Sequence, residues 1–337
     1  MADAIGRHVR RGQAIFADDT PVKVLSPGSG STRTARLWAY VRDERPWSGA
    51  DPPAAWYRFS PDRKGMRPRD HLGDYAGWMH ADGYTGFNEL YRGGHVDEVA
   101  CMAHVRRKFV DEQKSNASVI AEEAVLRIAA LYVIEKEIRG KPPEVRAAVR
   151  QERAKPLLDD LEAWLQGRLE TISGKTDLAK TIRYALSRIK RLRPYLDHGV
   201  LELDNNCAER AMRPIALGRK NYLFMGSESG GKAAAIAYTL IESAKMNGVD
   251  PQAWLTDVLG RIRPQDHPAR RTPPLALRSA ELSVTGFITG PPEGDGPTDT
   301  FRLVFHPKKT VPTFRSCRVG VAGSGGYCGI AVRASPA

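Results

Sequence analysis

The chain has 337 residues, 42% of them hydrophobic, and a net charge of +12. That is enough apolar length for one large folded unit or two ordinary ones, with no run near the ~18 apolar residues of a membrane span and no apolar amino-terminal segment of the signal-peptide kind. The basic balance points to an acidic partner, nucleic acid being the commonest, and cysteines at 101, 207, 317 and 328 lack paired spacing, which argues against a disulfide framework and fits a reducing cytoplasm.

Residues 14–112 alternate strand and turn signals. Ala14–Ala17 and Val22–Leu25 carry strand signals and flank a short acidic break. The Pro27–Ser31 run is a turn, and Ala35–Arg42 alternates at period two as a half-buried strand. Ala54–Ser60 is a third strand candidate. Pro68–Tyr75 reads as a short helix, Gly77–Ala81 as a fourth strand, and Val96–Met102 as a fifth that runs into a basic helix from about His104. Strands in succession, then strands interleaved with helices, predict a mixed α/β sheet.

Residues 117–200 change character and read as helical almost throughout. Ala121, Val125, Ile128 and Tyr132 form one apolar stripe, Leu158, Leu161 and Leu165 a second, and Ile182, Leu186, Ile189 and Tyr195 a third. Pro142-Pro143 and Gly174 separate the pieces. The third helix also carries Lys180, Arg183, Arg188, Lys190, Arg191 and Arg193, which suit either a solvated face or a phosphate-contacting one. Helices over 232–247 and 251–262 follow. Residues 268–337 hold nine Pro and nine Gly, about a quarter of that segment, a composition that predicts disorder. The expected organisation is therefore a first core segment over 1–114, a helical insertion over 115–200, the rest of the core over 201–265, and a Pro/Gly-rich tail over 266–337.

The stretch Leu203-Asp204-Asn205-Asn206-Cys207-Ala208-Glu209-Arg210-Ala211-Met212-Arg213 sets one glutamate among amides and cations on a helix that Asp204 or Asn205 can cap. Glu209 and Arg213 share a face, while Pro214 is expected to break the helix before Lys220. An acid in a basic field suits a divalent cation or a phosphodiester, and equally an ordinary surface ion pair. Asp18-Asp19 follows Ile15-Phe16-Ala17, and Asp82 follows Trp78-Met79-His80-Ala81. Strand ends of an α/β sheet are where ligand sites gather, although each aspartate also reads as a strand-ending turn. Two strand-borne aspartates and a helix-borne glutamate could together hold two magnesium ions and support in-line displacement at phosphorus. Cys101-Met102-Ala103-His104 is a C-x-x-H pair, too few ligands for a tetrahedral zinc site; Cys101 also suits buried core.

The chain resembles the catalytic part of the insertion sequence 66 family of bacterial transposases. The resemblance rests on Ala17–Leu25, Leu37–Asp43, Ala81–Asn88, Ala103–Phe109 and Leu203–Phe224, and covers about residues 5–267 in order. It implies a ribonuclease-H-like mixed sheet with an all-helical insertion and C-terminal helices. It implies a DDE triad of Asp18, Asp82 and Glu209 holding two Mg2+ or Mn2+ ions, with Asp19 a neighbour. The activity it implies is strand cleavage and strand transfer on double-stranded DNA, by a homo-oligomer in the cytoplasm and without a membrane. Arg106, Arg107, Lys108, Arg210, Arg213, Arg219 and Lys220 become phosphate contacts, and Cys101 with His104 a support for the site. The family's N-terminal recognition region is not seen before Asp18, and the text after Pro268 departs from the family's usual ending. A truncated, frame-shifted copy is therefore expected, with a catalytically silent DNA-binding or oligomerising remnant as the alternative, and a structure-selective nuclease as a third reading.

Overall fold

A thirteen-residue strand, β1 (Ala14–Ser26), organises the sheet. The protein is described here by a computed structural model over residues 1–26 and 28–261; the expected tail, with Cys317 and Cys328, lies outside the described residues. β1 pairs antiparallel with β2 (Ser31–Arg42), from Phe16 opposite Val41 to Ser26 opposite Ser31. The acidic break expected between Ala17 and Val22 is therefore absent, and the strand runs through it. β1 is bonded on its other side to β4 (Gly77–Ala81) only over Ala14–Phe16, so Pro21, which has no N–H to give, falls where that side needs no ladder.

β3 (Ala54–Ser60) runs antiparallel to β2, and β5 (Val96–Ala100) parallel to β4. The order is β3-β2-β1-β4-β5, a mixed five-stranded sheet. Alternation along the strands gives it two apolar faces. Ile15, Ala17, Trp38, Tyr40, Trp56 and Met79 pack under α1 (Ala2–Arg10), α2 (Met66–Leu72) and α3 (Asn88–Arg92). On the other face lie Phe16, Val22, Leu37, Ala39 and Tyr57, covered by α10 (Asn206–Gly218) and α11 (Glu228–Met246). α12 (Pro251–Arg261) follows.

Between β5 and α10 come α4 (Met102–Asn116), α5 (Val119–Ile138), α6 (Pro143–Val149), α7 (Lys155–Thr171), α8 (Asp177–Leu192) and α9 (Pro194–Asp197), with a π-turn at Arg150–Ala154. Ser118 and Thr176 cap α5 and α8, their hydroxyls accepting from Ala121 N and Ala179 N. Leu158, Leu161, Leu165, Ile182, Ile189 and Tyr195 are buried in one core with Met102, Val105 and Phe109 of α4. The α5 stripe is turned slightly from its expected position: Ala121, Ala124, Ile128 and Leu131 are buried, while Val125 and Tyr132 are only partly covered.

Pro214 does not end α10, which runs on to Gly218. The bond that proline removes is outweighed by burial of Ala208, Ala211, Met212 and Ile215 on the sheet, and the Tyr57 hydroxyl donates to the Ala211 carbonyl at 2.7 Å. Lys220 lies beyond the helix and is exposed. Among the described residues no helix is long and apolar enough to cross a membrane.

Candidate active site

Period-two geometry decides which of the paired aspartates can face α10. Phe16 and Val22 point to the α10 side and Ile15 and Ala17 to the other, so Asp18 falls on the α10 side and Asp19 opposite. Cross-strand partners agree: Asp18 sits against Ala39, which packs with α10, and Asp19 against Trp38, which packs with α1–α3. Asp19 is almost wholly covered and is held by Arg36 at 3.0 Å and Arg63 at 2.8 Å. The Arg63 guanidinium lies 4.0 Å over the Tyr84 ring. Those two arginines, which the sequence did not single out, make Asp19 a structural acid.

The parallel register Phe16–His80, carried two residues further, sets Asp18 beside Asp82. Asp82 opens a tight turn in which its Oδ1 accepts from Tyr84 N at 2.9 Å. Gly83 in that turn has φ +87, and a Cβ there would stand 2.2 Å from Arg188 Nη1, so the position requires glycine.

The third acid is delivered by a segment bonded almost residue by residue. Glu202 N–H donates to His80 Nε2 at 3.3 Å, Met102 N–H to the Leu203 carbonyl at 3.0 Å, and Asn205 Nδ2 to the Ala17 carbonyl at 2.8 Å. Asn205 N–H reaches Cys101 Sγ at 3.1 Å. Asp204, not Asn205, supplies the carboxylate at the start of α10, accepting from Asn206 N at 3.0 Å. Further back, fully buried Arg150 donates to the carbonyls of Tyr195 at 2.9 Å and Leu201 at 2.9 Å, and Arg146 to that of Gly199 at 2.7 Å. Glu135 and Glu202 neutralise the two guanidiniums. Gly199 is tightly confined, since a Cβ would meet the Pro143 carbonyl at 1.8 Å.

So placed, Glu209 lies 3.6 Å from His104 Nδ1 and accepts from Arg107 at 3.2 Å. The electrostatics register the crowding. Burial pushes the Asp18 carboxyl up to about 7, and the charges of Asp82, Asp19 and Glu209 push the same way against one bond from the Asp19 N–H. Burial lowers His104, Glu209 raises it, and Arg107 lowers it again. Burial also pushes the Cys101 thiol up to about 12. Cys101 and Cys207 are free thiols. The set of ligand atoms lying within 4.8 Å of one another is that of Cys101, His104 and Glu209. Asp82 and Glu209 are near enough to perturb Asp18, but the three do not form so tight a set among the described residues.

Arg106, Arg107, Lys108, Arg210, Arg213 and Lys220 are exposed and Arg219 is half-buried; Arg106 and Arg107 line a cavity with Asn206 and Lys114. Lys108 lies 4.9 Å over the Tyr184 ring of α8, and Arg219 Nη1 donates to the Pro21 carbonyl at 2.6 Å. Arg210 opens onto a cavity lined by Asp43, Glu202 and Asp204.

The family described as Transposase IS66 family matches residues 1–233, and its C-terminal element matches 239–275. The chain belongs to the IS66 transposase family. It is 40% identical to the uncharacterized protein y4qI of Sinorhizobium fredii (strain NBRC 101917 / NGR234) over 269 residues, 78% of this chain and 50% of that one. Likeness to the uncharacterized protein y4hP of the same strain is also 40%, over 285 residues, 80% of this chain and 51% of that one. The chain thus spans about half the length of the curated relatives it matches. Family members of the DDE type use divalent metals.

Proposed function

We propose that this chain is the catalytic part of a DNA transposase, cleaving element ends by hydrolysis and joining the freed 3′-hydroxyl to target DNA. The observation that carries this reading is the acidic crowd around Asp18, whose carboxyl is pushed to about 7 by burial and by Asp82, Asp19 and Glu209. Carboxylates gathered at a loss suit a cation that repays the gathering. Asp18, Asp82 and Glu209 would hold a pair of Mg2+ or Mn2+ ions, which supply an activated nucleophile and stabilise the leaving oxygen. The strand order supports a ribonuclease-H-like core, which we assign to residues 1–114 and, among the described residues, 201–261, around a helical insertion at 115–200.

The chain's own side chains prepare the site. Asn205 fixes the start of α10 to β1 one residue before Asp18, and so sets the spacing between strand acid and helix acid. Arg107 neutralises Glu209 from an exposed position, from which it can pass to a phosphate. Arg106, Arg213 and Lys220, also exposed, would hold the DNA backbone. Lys108, Arg210 and Arg219 would join them, Lys108 from over the Tyr184 ring and Arg219 from its bond to the Pro21 carbonyl. Assembly as a homo-oligomer on DNA belongs to the same reading.

The test is incubation with Mg2+ and duplex DNA carrying the element's terminal repeats, scored for nicking and for strand joining. Asp18→Asn, Asp82→Asn and Glu209→Gln should each abolish both products while leaving the circular dichroism spectrum unchanged. Cleavage that survives any one of the three removes that residue from the triad. Cleavage without joining would mark a nuclease, and binding without cleavage a silent DNA-binding protein.

A further inference from the structure

We propose that Cys101, His104 and Glu209 form a second metal site, selective for a thiophilic divalent ion such as Zn2+, that competes with the triad for Glu209. The competition rests on the reading above; the site itself does not. Cys101 and His104 stand three residues apart at the start of α4, and Glu209 is brought to them by α10. One donor atom from each lies within 4.8 Å of the others. A tetrahedral zinc with bonds of ~2.3 Å to sulfur and ~2.0 Å to nitrogen or oxygen sets neighbouring donors roughly 3.3–3.6 Å apart. His104 Nδ1 and Glu209 Oε1 are already 3.6 Å apart.

Two further features point to a ligand. His104 Nδ1 is buried and makes no hydrogen bond. Cys101 Sγ receives the Asn205 N–H at 3.1 Å; burial holds the free thiol protonated, so the sulfur would ionise only on binding a metal. A neutral thiol is a weak acceptor, whereas a metal-bound thiolate is stabilised by such an amide. Arg107 now occupies the cation's place at Glu209. Its side chain is about half exposed, so it can leave at little cost.

On binding, the Cys101 sulfur–hydrogen bond is replaced by a sulfur–metal bond and one proton goes to solvent. His104 gives its free lone pair, Glu209 one oxygen, and water completes four-coordination. Sulfur and imidazole disfavour Mg2+, so the two kinds of ion sort by chemistry and share one carboxylate. Occupation by zinc withdraws Glu209 from Asp18 and Asp82 and switches cleavage off.

The test uses the full chain with Cys207, Cys317 and Cys328 all changed to Ser, leaving Cys101 as the sole thiol. Stripped of metal and titrated with Co2+, it should show a near-ultraviolet thiolate-to-cobalt band that saturates at one equivalent and survives a hundredfold excess of Mg2+. Cys101→Ser should abolish the band, and His104→Ala and Glu209→Gln should each weaken Co2+ binding at least tenfold. Asp18→Asn should leave the band intact, which separates this site from the triad. In the cleavage assay one equivalent of Zn2+ should cut activity at least tenfold, reversibly with chelator. Absence of the band, or a band untouched by both His104→Ala and Glu209→Gln, would overturn the site. A band without zinc inhibition would overturn the competition and leave the site standing.

Discussion

Replacing Asp18 by Asn should stabilise the metal-free protein at pH 8. The folded state holds the Asp18 carboxyl at about 7 against an ordinary 3.8, chiefly through burial and then through Asp82, Asp19 and Glu209. Stability carried by the protonated carboxyl is complete below about pH 3.8 and is lost as pH rises through about 7. Each pH unit between the two values corresponds to about 1.4 kcal/mol, so the ionised carboxylate costs about 4 kcal/mol at pH 8. Asparagine cannot ionise, and its carbonyl can still accept the Asp19 N–H that Asp18 accepts at 2.8 Å. For a chain of this size 1 kcal/mol moves Tm by about 2–4 °C, so the variant should melt roughly 8–16 °C higher at pH 8. The assay is thermal unfolding of both proteins in chelator from pH 5 to pH 8. Other titrating groups are common to both and cancel in the difference, which should grow with pH up to about 7 and then level off. Mg2+ should then raise the Tm of the parent and close the gap. A difference that is flat with pH, or a variant less stable at pH 8, would refute the account of Asp18 as an acid held at a loss.

Asn205→Ala strips the Ala17 carbonyl of its buried donor and should lower the unfolding free energy by about 1–3 kcal/mol, read as a shifted urea midpoint at constant m. Asp19→Ala leaves Arg36 and Arg63 without their carboxylate and should cost about 2–3 kcal/mol by thermal unfolding, while the stabilisation by Mg2+ persists. Gly83→Ala forces a side chain into a left-handed turn against Arg188 and should cost about 1–3 kcal/mol; an unchanged Tm would show that the turn relaxes. Changing Arg213 and Lys220 together to Ala should weaken duplex binding on every sequence and reduce the log–log salt slope by about 2, measured by fluorescence anisotropy at several salt concentrations.

What could be read from the sequence was whatever chain-local chemistry decides. Ala54–Ser60 and Gly77–Ala81 are strands with the expected ends, because short apolar runs there are bounded by Pro, Gly and Asp. β1 was expected to be interrupted because Asp18-Asp19-Thr20-Pro21 carries the local marks of a break; what keeps it extended is a full ladder to β2 and two arginines on Asp19, one from β2 and one from beyond β3. Pro214 misled in the same way, since burial of α10 on the sheet outweighs one missing bond. The C-x-x-H pair looked like half a site because its third partner lies about a hundred residues away, and no spacing rule links Cys101 to Glu209. Nor does any local pattern mark Arg146 and Arg150 as buried; they sit on a helix whose charges look like those of any solvated surface.

The bonded segment from Gly199 to Asn205 also bears on how the protein is made. Asp18 and Asp82 leave the ribosome early, on strands that can pair as soon as β4 exists. Glu209 is translated only after α5–α9, and its approach runs through Arg146 and Arg150 of that same helical body. A nascent chain therefore carries two of the three carboxylates for the whole time the helices are being synthesised, without the third. On the reading proposed above, a chain that ends before α10 lacks the third acid of the candidate triad and should be inert toward DNA.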